Sequence, residues 1–219
     1  MLSSLLPSCV VAREVFADPP DETVFPGEED LVARAVSSRR REFVTGRRCA
    51  RLALAELGHP PAPIRPGPGR EPIWPAGVTG SITHCAGYRA AAVARTADLA
   101  GLGIDAEPNE PLPDGVEATV ASPREGERLR EAAAGAPEVS WDRLLFSAKE
   151  SIYKAWYPLT RRWLGFEEAD LTIEPGAGTF NALLRADGTR IDGGPPLTRI
   201  SGRFTIGPGL IITAVTVDR

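Results

Sequence analysis

The stretch from Trp141 to Tyr157 constrains the fold most, because its pattern fits a helix with one side sunk in a core. At about 100° per residue, Trp141, Leu144, Leu145, Ala148, Ile152, Ala155 and Trp156 fall on one apolar stripe. The opposite side of such a helix is ordinarily plain and solvated. Here it carries Phe146, Glu150, Tyr153, Lys154 and Tyr157, with Glu150 and Lys154 four residues apart and so adjacent. Aromatic rings mixed with a Glu–Lys pair, opposite a complete core stripe, describe a face closing over a cleft. A surface ion pair with a second packing contact is the plainer reading of the same residues.

Around this helix the chain alternates helical and strand-like segments. Residues 29–57 carry Leu31, Val32, Ala35, Val36, Phe43, Ala50, Leu54 and Leu57 at roughly helical spacing, with Gly46 as a point where the stretch divides and Gly58 as a stop. Residues 59–77 are dense in proline and read as loop. Short strands follow at 80–84, 90–94 and 99–107, the last ended by Pro108, Pro111 and Pro113. A polar helix is expected at 123–134, and strands at 170–174, 179–185, 199–206 and 209–217. This is an α+β chain, and the Pro-rich exit divides it into halves at 1–108 and 109–219.

Composition narrows the function. A net charge of -4 argues against a general nucleic-acid binder. No run of about 18 apolar residues crosses a membrane, and Met1–Val11 lacks the basic start of a signal peptide, so the expected location is cytoplasmic. Cys9, Cys49 and Cys85 have no metal-ligand spacing and read as reduced thiols. Almost every basic residue is arginine; the only two lysines are Lys149 and Lys154, on the helix already singled out. Arginine and lysine serve equally on a wet surface and differ where a compact ammonium is required.

Four groups of residues carry candidate chemistry. In Gly103-Ile104-Asp105-Ala106-Glu107 the two acids project from the same strand face, about 7 Å apart, a spacing suited to a shared hard cation such as Mg²⁺ or to a solvated strand end. The helix face supplies Glu150 and Lys154. The basic run Arg39-Arg40-Arg41, Arg47-Arg48 and Arg51 is a phosphate site or a solvated basic face. Ser81-Ile82-Thr83-His84 sets a hydroxyl beside an imidazole at a strand end, with no nucleophile elbow around any serine.

Taken in order, Gly103-Ile104-Asp105-Ala106-Glu107-Pro108, Trp141-Asp142-Arg143 and Phe146-Ser147-Ala148-Lys149-Glu150-Ser151-Ile152-Tyr153-Lys154 resemble the paired signature of Sfp/EntD-type 4′-phosphopantetheinyl transferases. Arg47-Arg48-Cys49-Ala50-Arg51, Gly80–Arg89 and Arg162–Glu167 bring the likeness nearest to the actinobacterial PptT branch, from about residue 25 onward. The resemblance implies two similar α/β halves with pseudo-twofold symmetry and an active site in the cleft between them. It implies Mg²⁺, with Mn²⁺ as a substitute, on Asp105, Glu107 and Glu150. The 3′-phosphoadenosine end of coenzyme A would lie on Arg39, Arg47, Thr83 and His84, and its pyrophosphate near Lys149 and Lys154. Its pantetheine arm would run along Tyr153, Trp163 and Leu164. The family's loop lysines are absent, and Arg70 is the nearest cation to Glu71-Pro72.

The implied reaction moves phosphopantetheine from coenzyme A to a serine of an apo carrier protein or carrier domain. Polyketide, nonribosomal-peptide (including siderophore) or fatty-acid synthases would supply it, and the transferase would act as a monomer. Asp105, Glu150 and Lys154 are the expected catalytic residues, with Glu150 as base and Lys154 at the leaving phosphate. A Mg²⁺-dependent pyrophosphate hydrolase and a non-catalytic coenzyme A-binding module are the competing readings.

Overall fold

The computed structural model describes residues 1–219. Its strands form two antiparallel sheets. The smaller contains β1 (Val11–Val15), β2 (Val78–Cys85) and β3 (Tyr88–Arg95) in the order β1-β3-β2. The larger contains β4 (Gly101–Pro108), β5 (Ala169–Glu174), β6 (Thr179–Leu184), β7 (Arg199–Gly207) and β8 (Leu210–Val217) in the order β4-β8-β7-β6-β5. The helices are α1 (Ser37–Glu56), a single turn α2 (Glu117–Val120), α3 (Pro123–Gly135) and α4 (Trp141–Thr160). No helix is long and apolar enough to cross a membrane.

The stripe on α4 lies where its periodicity puts it: Trp141, Leu144, Leu145, Ala148, Ile152, Ala155 and Trp156 are all buried in the core over the larger sheet. The helix runs three residues past Tyr157, through Pro158, and stops where Arg161 turns left-handed at φ 56°. Two details of the sequence reading change. The stretch 29–57 breaks at 33–36, between a 3₁₀ turn at Glu29–Val32 and α1, rather than at Gly46; that glycine is mid-helix, where α1 lies against Ile82 of β2. Strand β1 was unmarked in the sequence because its five residues show only partial alternation, and it gains its place by pairing with β3.

The sheet boundary also differs from a division at 108. β4 pairs along its whole length with β8, so the change of sheet falls in the turn between Arg95 and Gly101. The two sheets meet along β2 and β4, and side chains take the place of a backbone ladder there. Ser81 Oγ accepts from the Ile104 amide at 3.1 Å, and Thr83 Oγ1 accepts from the Ala106 amide at 3.1 Å. The apolar faces of both sheets share one cluster, with Tyr88, Ala90 and Ala92 against Leu102, Ile104, Ala106 and Ile212.

Candidate active site

The site is set by the match between β4 and α4. One face of β4 presents Gly101, Gly103, Asp105 and Glu107 in turn. Two strand residues advance about 6.6 Å and four helix residues about 6.0 Å, so a strand and an antiparallel helix stay nearly in step. The pairs follow that beat: Leu159 and Ala155 face Gly101, Ser151 faces Gly103, Ser147 meets Asp105 and Arg143 meets Glu107. A Cβ on Gly103 would stand 1.9 Å from the Ser151 carbonyl oxygen, so only glycine lets the helix come this close. That approach brings the helix's polar face onto the two acids.

Asp105 is the hub. Its Oδ1 accepts from Lys154 Nζ at 2.7 Å and Thr83 Oγ1 at 3.2 Å, and its Oδ2 accepts from Ser147 Oγ at 2.8 Å. Ser147 in turn shares a hydroxyl contact of 3.0 Å with Thr213 of β8, which is wholly buried. Lys154 also donates to the Ile104 carbonyl at 3.1 Å. Glu107 is held by Arg143 at 3.1 Å, and Arg143 is itself anchored on the carbonyls of Glu110 and Pro111. Burial, then the charge of Asp105, pushes the Glu107 carboxyl up to about 7. Burial also raises Glu150, opposed by Lys154 and reinforced by Asp105.

These acids fit a hard divalent cation in type, all oxygen donors made uncomfortable by burial and by one another. They do not close into a three-ligand cage as they stand, and no His, Cys, Asp or Glu trio does so elsewhere. Asp105 and Glu107 are instead compensated by Lys154 and Arg143, the response expected of carboxylates that would otherwise repel.

The basic group lies at the end of β2. Arg39 on α1 donates to His84 Nε2 and pairs with Glu42 at 3.3 Å. Burial, and then the Arg39 charge, lowers His84 to about 4, so the imidazole is neutral at pH 7. Arg47 stacks 3.6 Å over the Phe43 ring and donates to the Ile64 carbonyl; burial brings it down to about 10. Arg70 is exposed with φ 67°, in a loop that rests on α4: Gly69 lies against the Tyr157 ring and Glu71 pairs with Arg161. Tyr153 packs 5.1 Å from Trp163 and 5.8 Å from Tyr157, forming an aromatic shelf whose outer member, Trp163, is 73% exposed.

Three expected ligands are placed otherwise. Lys149 is 3% exposed and faces away from Lys154, its ammonium donating to Glu125, the Val120 carbonyl and the Phe166 carbonyl. Two helix residues separated by five cannot share a face at 3.6 residues per turn. Thr83 is buried and its hydroxyl is spent on Asp105 and the Ala106 amide, so it serves the sheet junction. Leu164 is 7% exposed and belongs to the core under α4 rather than to the shelf. Ser147, Thr213 and Arg143 went unassigned in the sequence. The signal for the first and last was a polar residue every four positions along one helix edge, Arg143, Ser147, Ser151.

Comparison with known proteins identifies the family. Residues 27–94 match the 4′-phosphopantetheinyl transferase N-terminal domain, and residues 101–191 match the 4′-phosphopantetheinyl transferase superfamily; the interval between the two matches contains the change of sheet. The chain is 56% identical to the 4′-phosphopantetheinyl transferase Svp of Streptomyces mobaraensis, over 99% of this chain and 89% of that one. It is 49% identical to Npt of Nocardia iowensis (98% and 99% covered) and 46% identical to PptT of Mycobacterium tuberculosis (99% and 98% covered), both also 4′-phosphopantetheinyl transferases. With relatives this similar along nearly the whole chain, and with its acids and lysine gathered where β4 meets α4, the protein belongs to the 4′-phosphopantetheinyl transferase family.

Proposed function

We propose that the chain transfers the phosphopantetheine arm of coenzyme A to a serine hydroxyl of an apo carrier protein, releasing 3′,5′-ADP, with the diphosphate bound where Asp105, Glu107, Glu150 and Lys154 converge. The observation that carries this reading is the Lys154–Asp105 pair. An ammonium has three protons to donate, and Lys154 spends two, on Asp105 and on the Ile104 carbonyl. The third is available to a phosphate oxygen entering from the cleft.

In this reading the serine oxygen bonds to the β-phosphorus as the bond from that phosphorus to the bridging oxygen breaks, and the displaced charge settles on the α-phosphate of 3′,5′-ADP. A Mg²⁺ or Mn²⁺ ion on Asp105, Glu107 and Glu150, when bound, would neutralise the diphosphate and align it for in-line displacement. Glu150 takes the serine proton. Burial raises its carboxyl in the ion-free site; beside a bound cation a carboxylate is a weak base, and its placement next to the serine hydroxyl supplies the effect. Lys154 holds the developing negative charge at the leaving oxygen. Arg39 and the neutral His84 receive the 3′-phosphate, Arg47 supports them, and Arg70 borders the same loop. Tyr153 and Trp163 flank the arm. Every residue given a role in this reading lies on one chain, which supports a monomer as the active unit.

Intact-mass analysis of a panel of apo carrier proteins, from polyketide, nonribosomal-peptide and fatty-acid systems, tests the proposal. A phosphopantetheine mass added to a carrier in the presence of coenzyme A and Mg²⁺ is the expected result. Release of free 4′-phosphopantetheine with every carrier unmodified would make the chain a hydrolase instead.

A further inference from the structure

We infer that Lys149 is a positioning residue, not a phosphate ligand: its buried pair with Glu125 fixes the segment that carries Trp163, and through it the pantetheine side of the cleft. The inference rests on the proposed placement of coenzyme A.

The pair is built as a tie between elements. Both side chains are 2% exposed, and their charged atoms lie 2.9 Å apart. The ammonium's other protons go to the Val120 carbonyl at the end of α2 and the Phe166 carbonyl, each at 2.8 Å, which satisfies all three donors. Glu125 is equally occupied. Its Oε2 also accepts from the Ser122 amide in a capping box at the start of α3, and its Oε1 accepts from the Leu171 amide of β5. One ion pair therefore joins α2, α3, α4, β5 and the 3₁₀ turn at Phe166–Glu168. Burial lowers the ammonium, and the hydrogen bond and charge of Glu125 oppose that shift.

The consequence for the site follows from where these bonds land. Phe166 is three residues beyond Trp163, and its ring packs 5.9 Å from Phe146 of α4. With the Phe166 carbonyl pinned to Lys149 on one side, and Trp163 packed on Tyr153 on the other, residues 163–166 are clamped against α4 at both ends. A lysine bound to phosphate must leave a proton toward the cleft, and Lys149 has none left to give. The Arg-rich chain retains lysine here because three acceptors in three directions suit a tetrahedral ammonium and not a planar guanidinium.

The test compares two ligands. Adenosine 3′-phosphate 5′-diphosphate contains the 3′-phosphate and the whole diphosphate but no arm, whereas coenzyme A contains all three. By calorimetric titration, Lys149→Met and Glu125→Gln should each weaken coenzyme A by about tenfold, the size of an ordinary coupling within one hydrogen-bonded network, and leave the arm-less diphosphate within about twofold. The double variant should lose no more than the worse single one. Equal loss of both ligands in Lys149→Met, with Glu125→Gln like wild type, would overturn the inference and return Lys149 to the phosphates. Should Lys149→Met fail to fold, Glu125→Gln decides alone, since unchanged coenzyme A affinity there contradicts a positioning role. If the wild-type chain bound neither ligand, the placement of coenzyme A would fail instead.

Discussion

Replacing Gly103 with alanine would place a methyl carbon 1.9 Å from the Ser151 carbonyl oxygen and 2.8 Å from the Ala155 nitrogen, both backbone atoms that cannot rotate aside. Ordinary contact begins near 3.4 Å, so α4 must retreat from β4 by about 1.5 Å at that point. A retreat of that size opens the 2.7 Å Lys154–Asp105 pair beyond hydrogen-bonding range, and the Ser147–Asp105 bond with it. Overpacking of this kind costs roughly 1–3 kcal/mol, which for a chain of this length lowers the melting temperature by about 3–10 °C. Misplacing the groups proposed as catalytic by 1 Å or more should lower kcat/KM by about a hundredfold. Melting curves and carrier modification measured by intact mass give both numbers. Gly135→Ala is the control: it ends α3 with no atom within 4 Å of the added carbon, and it should be neutral or slightly stabilising. A Gly103→Ala variant that melts and turns over like wild type would refute the reasoning that glycine on this strand sets the helix distance and the helix distance sets the site.

Further predictions concern single groups. Glu150→Ala should lower kcat by about 10²–10⁴, the usual range for a general acid–base group; activity within threefold of wild type removes it from that role. Lys154→Arg should fail to restore turnover, because a planar fork cannot donate at once to Asp105, the Ile104 carbonyl and a phosphate; normal rates would show that only charge matters there. His84 titrates near 4 in the fold and near 6.5 when unfolded, so the unfolded chain binds more protons between those values. The stability this contributes is complete above about pH 6.5 and is lost as pH falls toward 4. After discounting for partial exposure, it amounts to roughly 1–2 kcal/mol. Denaturant melts should show that slope in wild type and not in His84→Gln, and equal slopes would contradict a buried neutral imidazole.

What the sequence disclosed and what it withheld divide along local and long-range information. The α4 stripe is periodic, and periodicity reports burial directly, so its seven apolar residues were readable. The shared face of Asp105 and Glu107 followed from strand alternation in the same way. Lys149 and Lys154 looked equivalent because they are neighbours on one helix and the only lysines of the chain. The acceptors that separate them, Glu125 and the Phe166 carbonyl, are distant in sequence and near only in the fold. Thr83 carried a similar ambiguity: a hydroxyl beside His84 suggested an anion site, while the β2–β4 junction that consumes it depends on two sheets meeting edge to edge. Leu164 stood beside an exposed tryptophan, and only the packing of the core shows that the chain turns inward between them.

The claim on which the account depends is that three carboxylates serve one divalent ion beside Lys154. Titration of Mn²⁺ into the protein, followed by electron paramagnetic resonance in the presence of 3′,5′-ADP, measures it most directly. One bound Mn²⁺ per chain is the predicted result, with affinity falling sharply in each of Asp105→Asn, Glu107→Gln and Glu150→Gln. Undiminished Mn²⁺ binding in any one of the three would contradict a shared site.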